Sequence, residues 1–176
     1  MTGIRELLGS SESVGVWRVV PEQSTIGFKS KSMWGLVPVK GRFTEFSGDG
    51  QIGDGQTVFG RIDVKGASLE TGIRKRDDHL RSADFFEVEK YPDASLVVTG
   101  AEALDDDTVE LRTQLTVKAT TKPLPLRAAV TVLGDDTVRL STQAMINRKD
   151  FGVDGNLVGM IGDKVTISGD VVFRRA

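Results

Sequence analysis

The chain has 176 residues, with 23 Lys and Arg against 25 Asp and Glu, one histidine and no cysteine. That length makes one domain able to bury a full core, and the missing thiols exclude disulfides, thiolate nucleophiles and thiolate metal sites, as a lone His79 excludes a His-rich metal site. The charges cancel within each half, 12 basic against 12 acidic in residues 1–88 and 11 against 13 in 89–176, which argues against nucleic acid as a partner, since backbone-directed binding needs a cationic surface.

Residues 1–15 read as a short N-terminal tail preceding a domain at 16–176. Arg5 and Glu6 interrupt its only apolar patch, so it lacks the core of about 7–15 apolar residues of a secretory signal, and one helical turn is the most it is expected to form. No run approaches the ~20 apolar residues of a membrane span. The expected location is the cytoplasm.

From residue 16 onward the apolar residues alternate with polar ones, the period of strands with one wet and one buried face. Strands are predicted at 16–20, 24–30, 37–46 (Val37, Val39, Phe43) and 57–65 (Val58, Ile62, Val64). Further strands follow at 94–101, 109–118, 124–132, 138–146 and 165–173. Turn residues separate them, as in Asp49-Gly50, Asp54-Gly55 and Gly134-Asp135-Asp136, where positive φ is tolerated. Glycine, at 20 residues, is abundant enough to serve many such turns. Only 68–91 breaks the alternation: Leu69, Ile73 and Leu80 recur at offsets of four and seven, compatible with one or two short helical turns broken near Gly72.

Many strands with one helical excursion imply an all-β sandwich or a closed barrel. Closure removes the exposed edges of an antiparallel sheet, so an eight-stranded antiparallel barrel is the expected architecture, with room for its own side chains or one small ligand.

The excursion carries a family signature. Leu69-Glu70-Thr71-Gly72, Arg76-Asp77-Asp78-His79-Leu80-Arg81-Ser82, Asp84-Phe85-Phe86 and Lys90-Tyr91-Pro92 closely resemble the YceI-like proteins. Agreeing pieces are Ser24-Thr25-Ile26-Gly27-Phe28, Gly41-Arg42-Phe43, Leu115-Thr116-Val117 with Thr121-Lys122-Pro123, and Asn147-Arg148-Lys149-Asp150-Phe151-Gly152. The resemblance covers about residues 16–175 in order. It implies a lipocalin-like antiparallel barrel that holds a long apolar molecule, a polyisoprenoid or another lipid-like chain, in its interior. Members are commonly periplasmic, which the N-terminus of this chain does not suggest.

Ile26, Phe28, Trp34, Phe43, Leu115, Val117, Phe151 and Ile167 lie on or beside the inward phase and are the candidate ligand contacts. Gly41, Gly60, Gly100, Ala128, Ala144 and Gly169 share that phase, and such small residues leave a volume to fill. By the pleat, Val117 is expected inward and Lys118 in water. Arg74, Arg76 and Arg81, with Lys75, form the only basic cluster along the chain and are candidate head-group contacts, since Arg forks match phosphate oxygens. If residues 69–91 cover the barrel mouth, Gly72 offers a hinge.

His79 among Asp77, Asp78 and Asp84 forms the densest titratable cluster, and a His beside carboxylates can act as a general base. No nucleophile motif accompanies it, so helix capping and pinning of the excursion is the preferred reading. Asp150-Phe151-Gly152 matches a kinase motif whose other parts are absent. Residues 47–55 carry too few carboxylates for a calcium cage and read as a hairpin loop. The expected function is non-catalytic binding of a long-chain apolar small molecule by a monomer or homodimer, without cofactor or metal. The alternatives are a hydrolase or isomerase using His79 on an apolar substrate, and a ligand-free interaction module.

Overall fold

The computed structural model describes residues 3–31, 38–134, 136–155 and 162–176. The alternation seen in sequence turns each long strand into a two-faced ribbon. In β10 (Leu126–Gly134), Leu126, Ala128 and Val130 are buried while Arg127, Ala129 and Thr131 are exposed. Such ribbons bury their apolar faces together only by curling around a shared interior.

The strands in chain order are β1 (Gly15–Val19), β2 (Thr25–Lys31), β3 (Pro38–Phe43), β4 (Phe46–Ile52), β5 (Val58–Lys65) and β6 (Leu69–Glu70). After them come β7 (Asp93–Ala103), β8 (Thr108–Val117), β9 (Thr120–Pro123), β10, β11 (Thr137–Asn147) and β12 (Lys164–Arg175). Several act as halves of one strand. β1 and β2 both pair β12, while β4 and β3 pair β1 and β2 in turn. β9 and β10 continue one another in a single register against β8. The result is a closed antiparallel barrel of eight strands, β1-β4-β5-β7-β8-β10-β11-β12, sealed where Trp17 faces Arg175 and Val19 faces Phe173. This is the closed eight-stranded antiparallel barrel expected from the sequence.

Each end of the barrel carries a helix. Within the residues read as a tail, α1 (Ile4–Gly9), a helix of six residues, buries Ile4, Leu7 and Leu8 in a cluster with Trp17, Val109, Val130 and Val138. At the other end, α2 (Arg74–Arg81) begins just beyond Gly72, whose φ of +91° suits glycine. Its Leu80 joins Leu69, Phe85, Val117, Phe151 and Val153 in a second cluster. None of the described helices is long and apolar enough to cross a membrane.

Residues 47–55 are not a hairpin loop and Asp49-Gly50 is not a turn: Phe46–Ile52 is strand β4. Its inward places are partly filled by Gly48 and Gly50, which hides the alternation, and the turn into β5 is made by Asp54–Gln56. Two further expectations fail for local backbone reasons. The β7–β8 register shifts between Val98 and Gly100, and a bulge of this kind reverses the pleat. Gly100 therefore lies beneath Arg112, whose guanidinium is 2.0 Å from where a Cβ would stand, and Ala101 takes the inward place. Lys118 is not an outward strand residue. β8 ends at Val117, and Lys118 makes the turn into β9 at φ +56°, its half-buried amine donating to the Gly152 carbonyl at 3.0 Å.

On the outer face, Arg139 on β11 donates to both oxygens of Asp170 on β12, at 2.6 and 2.7 Å, and Ser141 adds a third bond at 2.9 Å. Hydrogen bonding by Arg139, helped by Ser141, holds the Asp170 carboxyl below its ordinary value despite partial burial. The ionised form therefore stabilises the fold above the usual carboxylate value near 3.9, and that contribution disappears as pH falls through the lowered native value. Asp170→Asn is expected to melt below wild type at pH 7, and the gap should close below about pH 4. Paired thermal melts across that range check this. A gap independent of pH would show that the carboxylate charge is not responsible.

Candidate functional site

The two apolar clusters are the ends of one lumen. A cavity of about 340 Å³ runs between them, bounded by α1 at one end and by Leu80, Phe85 and Phe86 of the excursion at the other. That volume lies within the range of small-molecule sites, about 300–1,000 Å³. Its wall is almost wholly apolar. Ile26, Phe28, Phe43 and Ile167 line it from β2, β3 and β12, and Leu115, Val117 and Phe151 line it near α2. Trp34, the eighth candidate, lies outside the described residues.

The small residues shape the lumen unequally. Gly60, Ala128, Ala144 and Gly169 are on its wall. Gly41 instead makes room for a neighbour, since a Cβ there would stand 2.2 Å from the Phe28 ring. Phe28 lies over that gap, its ring centroid 5.7 Å from that of Phe43.

Hydrogen bonds fasten the α2 end. Thr71 is clamped from two sides: buried Asp77 accepts from its amide at 2.9 Å and from its hydroxyl, while Arg76 donates to its hydroxyl at 2.8 Å and its carbonyl at 2.9 Å. Arg81 donates to the carbonyls of Ala67 at 3.0 Å and Leu69 at 2.6 Å, and pairs with Asp78. Arg74 is exposed. None of the three candidate head-group arginines lies on the lumen wall. Arg76 and Arg81 instead spend donors on the carbonyls of Ala67, Leu69 and Thr71, on the Thr71 hydroxyl and on Asp78.

A cation that sequence reasoning passed over does reach the lumen. Arg148 lines it at only 7 % exposure, donating to the carbonyls of Val153 at 2.7 Å, Gly155 at 2.8 Å and Gly162 at 3.0 Å. Its guanidinium lies 5.5 Å from the Phe85 ring centroid. Burial lowers its pKa from the ordinary arginine value, against the pull of Asp163 and Asp154. The signal was available only as part of the 147–152 motif, because nothing local marks an arginine as buried. Asn147 opens that turn by accepting from the Lys149 amide, and Gly152 closes it at φ +77°.

His79 stands apart from the lumen wall. Its Nε2 is 2.8 Å from Asp84 Oδ2, and its ring meets Phe85 edge-on at 5.3 Å. Both contacts tie the end of α2 to the segment that carries Phe85 into the barrel. Among the described residues no group of three or more His, Asp or Glu side chains is arranged to hold a metal.

The comparisons with known proteins agree with this geometry. A Pseudomonas putida UPF0312 protein is 32% identical over 124 residues, 66% of this chain and 65% of that relative, so the chain spans a little under two thirds of it. An Azotobacter vinelandii UPF0312 protein is 27% identical over 161 residues, 86% of this chain and 83% of its own length. Among solved structures, Burkholderia cenocepacia BcnA superposes with a TM-score of 0.79 at 22% identity, covering 88% of this chain and 98% of BcnA. A polyisoprenoid binding domain from Saccharophagus degradans superposes with a TM-score of 0.76 at 17% identity, covering 91% of this chain and 98% of that domain. The sequence pattern of the YceI-like domain matches residues 17–173, from the first ring strand to the last, and the chain belongs to the YceI-like family.

Proposed function

We propose that this protein holds one long apolar molecule, of the isoprenoid or fatty-chain class, in the barrel lumen and performs no chemistry on it. The observation that carries this reading is the continuous apolar cavity of about 340 Å³ between α1 and α2. The Saccharophagus degradans domain of the same fold is a polyisoprenoid binding domain, which supports the same ligand class.

The driving force is desolvation. Each buried methylene contributes about 0.8 kcal/mol, so ten of them give about 8 kcal/mol, or micromolar binding before ordering costs. Such a site discriminates by length and girth more than by functional group, and suits storage, carriage or shielding of a chain that water cannot dissolve. The catalytic alternative has little geometric support, because His79 lies off the wall and is engaged by Asp84.

Native mass spectrometry of freshly purified protein, followed by organic extraction, tests the proposal. A bound mass that extracts as an apolar chain is the expected result. Titration with a prenyl alcohol should also change the emission of Trp17, which lines the lumen at 3 % exposure. Protein that carries no adduct and takes up no such alcohol would rule the reading out.

A further inference from the structure

We infer that α1 is the ruler of the lumen: Ile4, Leu7 and Leu8 set the longest chain the barrel accepts. This rests on the apolar-ligand reading. All three side chains are 7 % exposed and stand on the wall of the same cavity that Phe85 and Leu80 bound at the far end. A helix about 10 Å across covers the end of an eight-stranded barrel, whose interior is only wide enough for side chains or one small ligand.

The helix is fixed in that place. The Ile4 amide donates to the Asp106 carbonyl at 3.0 Å and Arg5 to the Leu104 carbonyl at 2.8 Å, both in the β7–β8 turn. Behind it, Trp17 Nε1 donates to the Ser13 carbonyl at 2.9 Å. The family match begins at residue 17, so this floor comes from a segment outside the matched domain. Between Val109 beside the floor and Val117 beside the roof, β8 climbs about 26 Å, or about 20 Å along the barrel axis at the usual tilt.

Affinity for straight-chain alcohols of rising carbon number tests the ruler. Each methylene that finds room strengthens binding about fourfold, and the gain should stop where the chain tip meets α1. In Leu7→Ala, in Leu7→Ala/Leu8→Ala and in a truncation lacking residues 1–9, the plateau is expected at longer chains, with circular dichroism confirming the fold. The single substitution serves if the larger changes unfold the protein. An unchanged plateau in folded variants overturns the inference, as does a change confined to the rate of uptake, which would make α1 a door. If wild type binds no alcohol of any length, the apolar-ligand reading itself fails, and that result is distinct from an unmoved plateau.

A second, independent observation is one of charge. At several places on the barrel wall exposed cations face carboxylates across the strands: Arg18 and Arg61 on either side of Asp49, Lys65 opposite Asp93, Arg127 opposite Glu110 and Arg42 opposite Glu70, although Arg18 also faces Arg174. In the outward rows of Lys29 and Lys31, across β12-β2-β3, no carboxylate stands opposite. Lys29 stands directly opposite Lys40, with Lys31 and Lys164 in the adjoining outward row, all exposed and in no ion pair among the described residues. Like charges directly opposed destabilise a sheet. Met145, 65 % exposed, continues the Lys29 row across Thr166.

We propose that this face docks on an anionic lipid bilayer. A bilayer is favoured over an acidic protein because the lumen suits cargo of the kind that bilayers dissolve, a choice that rests on the apolar-ligand reading. Each lysine near such a surface raises partitioning about fivefold. Wild type should therefore sediment with vesicles containing phosphatidylglycerol and not with pure phosphatidylcholine, and Lys29→Glu/Lys40→Glu should lose at least about 25-fold. Arg112→Glu/Arg127→Glu changes the net charge equally on the opposite wall and should sediment like wild type. Equal loss in both pairs, retention in the Lys29/Lys40 pair, or no binding by wild type overturns the proposal. The last outcome would leave an acidic protein as the partner.

Discussion

Gly169→Phe is expected to abolish uptake of an apolar chain while leaving the barrel at least as stable as wild type. Gly169 lies on the lumen wall in the inward row of Thr142, Ile26 and Phe43. A Cβ built there meets only Val171 Cγ2, at an ordinary 3.7 Å, so the new ring can extend into the cavity without displacing the backbone. Glycine inside a strand also costs roughly 0.5–1 kcal/mol in conformational entropy, which the substitution recovers. Prenyl alcohol affinity should fall at least about a hundredfold, the loss expected when room for three or four methylenes is taken, and the melting temperature should hold or rise. The opposite pattern, normal uptake with lower stability, would mean that the cavity is not where the ligand sits. The same idea applied at Gly41 would mislead, because even a methyl group there collides with Phe28.

Arg148→Met is expected to destabilise the fold measurably. Methionine matches much of the volume but leaves the carbonyls of Val153, Gly155 and Gly162 without their donor. An unsatisfied buried polar group costs about 1–3 kcal/mol. The bond to Val153 is buried and those to Gly155 and Gly162 are partly buried, so a loss of about 2 kcal/mol is expected. For a domain of this size that corresponds to a fall in Tm of roughly 6 °C. Arg148→Lys should restore little, since one flexible ammonium cannot reproduce the planar fork that reaches three acceptors. Differential scanning calorimetry of the two variants checks both statements. A melting point within a degree or two of wild type would show that the arginine is dispensable to the fold and leave it free for a ligand head group.

Much of this was legible in the residues taken alone. The period-two patterns of 109–118, 124–132 and 138–146 are local consequences of a sheet with one wet face, and β8, β10 and β11 follow them closely. The break in that pattern at 68–91 marked the one excursion, and its motif carried the family. The inward placing of Ile26, Phe28, Phe43, Leu115, Val117 and Ile167 on the lumen wall follows from the same alternation, whereas Phe151 reaches it from the short helical turn Arg148–Phe151 after β11.

What the tertiary structure alone decided is whatever depends on residues far apart in the chain. Closure rests on β1 pairing with β12, so that Trp17 meets Arg175, and no local pattern encodes that register. The bulge at Val98–Gly100 reverses one stretch of pleat, which alternation cannot foresee. Six residues of α1 are too short to signal a helix by periodicity, since so short a helix is marginal without tertiary contacts, yet the barrel end gives Leu7 and Leu8 a place to bury. Arg148 and the Lys29–Lys40 pair follow the same logic. A cation reads as surface in sequence, and only the strands and carbonyls brought beside it determine whether it ends in the core, in a salt bridge, or facing another lysine.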